Sequence, residues 1–162
     1  MIKINIDNFR NNVKDYALTF INKKYTWGAN GPNEFDSPGF TWYVFKILFN
    51  KDINKDGYGI DNTTKQMTNN IGSLKVYIED DNNKKEYLND IKIGDLIFFQ
   101  QKSLDDDKPL PNNEYPGHVG IYIGDNKFIH SLSNDEKIVI NTLDKYWLKI
   151  MVASRDIISG IL

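Results

Sequence analysis

A chain of 162 residues, 40% apolar and 13% aromatic, is long enough to bury a sizeable core and fits one domain spanning 1–162. Its 20 Lys and Arg against 22 Asp and Glu leave a formal charge of -2, with no basic block dense enough to follow a phosphate backbone, so nucleic acid is not an expected partner. The absence of cysteine excludes a disulfide framework, a thiolate metal site and a thiol nucleophile together.

The opening residues, Met1 to Asp7, carry neither the apolar core nor the small-residue cleavage site of an export signal. No apolar run approaches the roughly 20 residues of a membrane span, so membrane insertion is not expected. From Ile6 to Asn22 the apolar side chains Phe9, Val13, Tyr16, Ala17, Phe20 and Ile21 keep the spacing of one helical face. Asn30-Gly31-Pro32-Asn33 reads as a turn. Ser37-Pro38 then places an N-cap type of residue before a proline tolerated in a first helical turn, with Phe40, Tyr43, Val44, Ile47 and Leu48 as the stripe behind it. Ser37 is therefore expected at the mouth of a second helix, as its cap.

Lys51 to Asp61 reads as a polar loop. Within it Asp52-Ile53-Asn54-Lys55-Asp56-Gly57 imitates the first half of an EF-hand loop, but the twelfth position is Thr63 rather than glutamate, so a solvated loop and no metal are expected. Asn62 to Met67 begins a short helix, and Lys75 to Ile78 reads as a strand. Ile93 to Phe99 is a buried strand after a turn. Residues 101–116, with three prolines and the solvated run Asp105-Asp106-Asp107, form a surface loop able to wall a cleft. His118 to Ile123 and Lys127 to His130 are strands joined through Gly124-Asp125-Asn126, and Lys137 to Ile140 and Met151 to Arg155 complete a sheet. Helices first and strands afterwards predict an α+β fold, with N-terminal helices packed on an antiparallel β-sheet.

Only two histidines occur, His118 and His130, one on each strand of the predicted hairpin. A nucleophile at a helix N-terminus, an imidazole facing it and a third polar group to orient that imidazole form the layout of acyl-transfer catalysis. Taken singly, each histidine has an ordinary reading as a hydrogen-bonded strand residue, and Tyr25 or Trp27 as core. Their conjunction in chain order carries the argument.

Tyr25, Trp27-Gly28, Asp36, Gly39, Gly94-Asp95-Leu96, Gly117-His118-Val119-Gly120-Ile121-Tyr122 and His130 are similar to the motifs of the NlpC/P60 family of papain-like cell-wall peptidases. Two positions depart from that pattern: Ser37 stands where the family has its nucleophilic cysteine, and Pro38 where it has serine. The resemblance implies a papain-like fold with position 37 as nucleophile, His118 as general base and His130 as its orienter. Tyr25, Asp36 and Trp27 would line the subsite for the amino end of a stem peptide. It implies a peptidoglycan partner, cleavage beside D-glutamate by a DL-endopeptidase, and no cofactor. The place of action would be the bacterial cell wall, reached through a parent polypeptide or a phage tail or lysis apparatus. Serine at position 37 implies lost catalysis, whether by deliberate exchange or as a natural variant. A wall-peptide binding module, a working serine hydrolase and an amidase or acyltransferase on the same fold are the alternatives.

Overall fold

The computed structural model describes residues 5–53, 60–77, 84–100 and 117–162. Helix α1 runs Ile6–Leu18, with the Asn5 side chain accepting the Asp7 N–H at 3.0 Å. It stops four residues short of the apolar pattern. The Thr19 N–H and hydroxyl both return to the Tyr16 carbonyl, which closes a tight last turn. Asn22 then takes a positive φ of 73° and turns the chain away.

Two short strands that the sequence pattern did not reveal follow, β1 (Lys24–Tyr25) and β2 (Glu34–Phe35), and they pair in parallel. Helix α2 spans Ser37–Phe49 and α3 spans Ile60–Thr68. Strand β3 (Ser73–Val76), helix α4 (Lys84–Tyr87) and a 3₁₀ turn (Leu88–Asp90) lead to β4 (Leu96–Phe99). The hairpin is β5 (His118–Gly124) and β6 (Lys127–Leu132), and β7 (Lys137–Thr142) follows it. Asp125 and Asn126, at φ 53° and 59°, form the left-handed pair that a two-residue hairpin turn demands. Helix α5 (Lys145–Ile150), not anticipated, precedes β8 (Met151–Asp156) and α6 (Ile158–Ile161).

The described strands form one sheet in the order β2-β1-β7-β6-β5-β4-β8-β3. It is antiparallel except for the β1/β2 pair, so the expected antiparallel sheet is in fact mixed at one edge. One face carries Leu96, Phe98, Val119, Ile121, Ile129 and Ile138 against Val13 and Ala17 of α1 and Phe40, Val44 and Phe45 of α2. The other carries Ile97, Phe99, Tyr122 and Phe128 under Leu148 and Ile150 of α5. Side chains alternate between faces along a strand, so His118 and His130 share the α5 face with Tyr122 and Phe128.

Arg10 locks α1 to the sheet. Its guanidinium donates to Asp95 Oδ1 at 3.0 Å and Asp156 Oδ2 at 2.8 Å, with all three side chains mostly buried. Asp95 belongs to the Gly94-Asp95-Leu96 motif, which therefore has a structural task here. Among the described residues no helix is long and apolar enough to cross a membrane. Asn54 to Gly57 of the EF-hand-like stretch, Ile78, and the 101–116 loop with Asp105-Asp106-Asp107 lie outside the described residues.

Candidate active site

The segment before α2 is shaped by one carboxylate. Asp36, rather than the expected Ser37, is the N-cap of α2: its Oδ1 accepts the Gly39 N–H at 2.7 Å, and its Oδ2 accepts the Gly28 N–H at 3.0 Å. A carboxylate outcompetes a hydroxyl here because it takes two N–H groups at once and complements the helix dipole. Ser37 becomes the first residue within the helix and Pro38 the second. Gly28 has a positive φ of 78°, the conformation that aims its N–H at Asp36. A Cβ at Gly39 would lie 2.1 Å from the Ala29 carbonyl oxygen, so the helix can seat this close to the 26–29 turn only with glycine there.

At the helix mouth the Gly39 N–H goes to Asp36 Oδ1, the Phe40 N–H goes to the Asp36 carbonyl, and Pro38 has none. The Ser37 N–H has no hydrogen-bond partner among the described residues and stands in the positive end of the dipole. Such a donor can receive a developing oxyanion. The Pro38 carbonyl is itself held by Gln66 Nε2 at 2.8 Å, so α3 steadies the turn from behind. Burial pushes the Asp36 carboxyl above its usual range while its two backbone N–H partners hold it back. Burial, and then the nearby Asp36 charge, push the Tyr25 hydroxyl up. Tyr25 and Asp36 thus share one environment. Trp27 is 62% exposed, which removes it from the core.

His118 and His130 meet directly: His118 Nε2 lies 2.6 Å from His130 Nδ1. His130 Nε2 lies 2.7 Å from Asn141 Oδ1. The three residues form a chain across β5, β6 and β7, which leaves Nδ1 as the ring nitrogen of His118 outside it. Phe128 stacks obliquely on His130 at 4.3 Å, and Trp147 of α5 stands edge-on to His130 at 5.2 Å and tilted over His118 at 6.0 Å. Burial among these rings pushes the His118 pKa well below its ordinary value and that of His130 to about 4, so both are neutral at pH 7.

One hydrogen bond ties this hairpin to the helix mouth. Ser131, next to His130 but on the opposite face, donates from Oγ to the Phe35 carbonyl at 2.7 Å. Continuing the Ile121↔Ile129 register by two residues brings Ser131 level with Val119, next to His118. The 35–37 turn and the start of β5 therefore lie at one end of the sheet. No hydrogen bond joins the Ser37 hydroxyl to either imidazole in this structure.

Sequence reasoning missed Asn141, Trp147 and Ser131. Asn141 is two residues beyond Val139 in β7, so period-two alternation places it on the face of His130 once the strand is extended past Ile140 and the β6/β7 register is known. Among the described residues no group of His, Asp or Glu is gathered as a metal would need.

A model described as the NlpC/P60 family matches residues 22–156. The chain is 26% identical over 141 residues to murein DD-endopeptidase MepH of Escherichia coli (strain K12), covering 86% of this chain and 42% of that protein. It is 29% identical over 121 residues to the probable endopeptidase p60 of Listeria welshimeri, covering 75% of this chain and 17% of that protein. This chain thus spans less than half the length of either relative. The NlpC/p60 domain of peptidoglycan hydrolase SagA superposes with a TM-score of 0.59 at 22% identity, over 91% of this chain and 97% of that one. At that identity the likeness is one of fold, and it agrees with the α+β papain-like reading.

Proposed function

Since the chain belongs to the NlpC/P60 family, matched over residues 22–156, we propose that it is a peptidoglycan endopeptidase scaffold of the DL type, cutting stem peptides beside D-glutamate, whose Ser37 form binds its substrate without cutting it. The observation that supports this reading is the hydrogen-bonded His118–His130 pair on the hairpin whose Ser131 is tied to the Phe35 carbonyl, next to the Asp36 cap of the helix that begins at Ser37.

In this reading His118 Nδ1 takes the proton of the nucleophile at position 37 as that atom attacks the scissile carbonyl carbon. The Ser37 N–H receives the oxygen of the tetrahedral intermediate. The protonated imidazole then gives its proton to the departing amine, and water enters by the same route in reverse to release the acyl group. His130 holds the His118 ring. Tyr25 and Asp36 recognise the ammonium end of the stem peptide, since a buried carboxylate beside a phenol is a matched site for a cation, and the exposed Trp27 ring forms the outer wall.

The same features argue against a working serine. A hydroxyl depends on its base for the proton, and burial makes His118 a weak base. A thiol is partly ionised near neutrality, and a helix N-terminus lowers its pKa further. Pro38 removes an N–H that would otherwise stand beside the oxyanion.

The test is incubation of the chain as it stands with purified sacculi, followed by co-sedimentation and mass analysis of soluble muropeptides. Retention on sacculi with no release beyond buffer is expected. Robust cleavage beside D-glutamate would overturn the inactive reading in favour of a serine hydrolase, and absence of retention would remove the binding claim.

A further inference from the structure

A neutral imidazole has one N–H and one lone pair, so a chain of neutral rings has a direction, and the group at its far end chooses it. Both rings here are kept neutral by the apolar and aromatic surfaces around them. Asn141 pairs with Phe128 across β6/β7, which places it diagonal to His130 on the same face. Its Oδ1, 2.7 Å from His130 Nε2, can only accept. His130 must then carry its proton on Nε2 and present a lone pair at Nδ1. That lone pair, 2.6 Å from His118 Nε2, requires the His118 proton on Nε2 as well. The remaining lone pair of His118 is left on Nδ1, the atom that must act as base.

We propose that Asn141 is a positioning residue that acts through His130 to hold His118 in its Nε2–H tautomer, so that the relay has four members with position 37 and not three. The inference rests on the reading of His118 as general base. Without an acceptor at position 141 the reverse direction becomes equally available: His130 Nδ1–H donates to His118 Nε2, and His118 is protonated on Nδ1, where it can take nothing from a nucleophile. An amide or a carboxylate oxygen at position 141 orders the protons in the same sense, the carboxylate also raising the proton affinity of His130 from its depressed value.

Ring nitrogens report the tautomer directly. The chain has two histidines, so a two-bond ¹H–¹⁵N NMR spectrum of the uniformly labelled protein contains four ring nitrogens in all. At pH 7 both rings are expected to show a protonated-type Nε2 and an unprotonated-type Nδ1. Asn141→Leu should convert His118 to a mixture of tautomers while the amide spectrum keeps its folded dispersion, and Asn141→Asp should keep the parent tautomer. In the Ser37→Cys background, Asn141→Leu should lower kcat about 10- to 100-fold with KM little changed, and Asn141→Asp should recover most of the loss. Protonation of either ring at Nδ1 in the unsubstituted chain overturns the proposal, whether or not any variant folds. So does a folded Asn141→Leu with unchanged tautomers. An inactive Ser37→Cys protein with both rings in the stated tautomer would instead sink the peptidase reading and leave the relay standing.

Discussion

A side chain that changes its proton affinity on burial leaves a signature in stability, and His130 is the clearest case in this molecule. Its ring is held at about 4 when folded and returns to about 6.5 when unfolded. Between those values the unfolded chain takes up a proton that the folded chain refuses, so the folded state loses stability as pH falls through that window, by up to about 3 kcal/mol. His118 acts in the same sense. Asp95, pushed up to about 7 by burial, takes a proton in the folded state over the same range and acts in the opposite sense. The histidine part is therefore read as a difference between the parent and His130→Gln in urea unfolding at several pH values. The parent should lose about 2 kcal/mol more than the variant between pH 7 and pH 4.5. Equal slopes would contradict a ring kept neutral by burial.

Two elements set the position of the candidate nucleophile, and each has a contact that can be broken alone. Helix α2 approaches the 26–29 turn so closely that Gly39→Ala would drive a methyl into the Ala29 carbonyl oxygen. The turn must move or the helix must tilt, at a cost of about 1–3 kcal/mol, and the Asp36 bonds to Gly28 and Gly39 would be disturbed with it. Denaturant midpoints check this, and a loss below about 0.5 kcal/mol would mean that the helix seat is softer than its geometry implies. Helix α1 is held by Arg10 between Asp95 and Asp156. Arg10→Met keeps much of the packing but removes the cation that joins Asp95 to Asp156, and Asp95, already raised to about 7, is driven toward its protonated form; the loss should reach about 3–5 kcal/mol only as pH rises far enough to ionise it, read from unfolding curves at several pH values. Asp95→Asn in that background should remove the part of the loss that grows with pH, because no carboxylate is left there to ionise.

Across the whole molecule, what could be read from sequence was what repeats or stands in a motif. The α1 and α2 stripes, the β4 to β8 strands and the order of helices before sheet all follow from spacing, because each element buries one face against the same core. The short β1/β2 pair was hidden because two residues carry no period, and the parallel edge it forms depends on where Asp36 draws the 26–29 turn. At the site, the two histidines were legible as a pair, but the ring contact needed the hairpin register, and Asn141 needed that of the next strand as well. Ser37 was placed at a helix mouth and mistaken for its cap, since the sequence alone does not say which of two adjacent oxygens takes the orphan N–H groups. The central claim of the proposal is that the missing thiol at position 37 is what keeps this domain from cutting. Its most direct test is Ser37→Cys incubated with purified sacculi, with soluble muropeptides identified by mass. The account predicts new cleavage beside D-glutamate that is abolished by iodoacetamide and absent in Ser37→Cys/His118→Ala. A Ser37→Cys protein that folds, reacts with iodoacetamide and still leaves sacculi of several cross-link chemistries intact would contradict it.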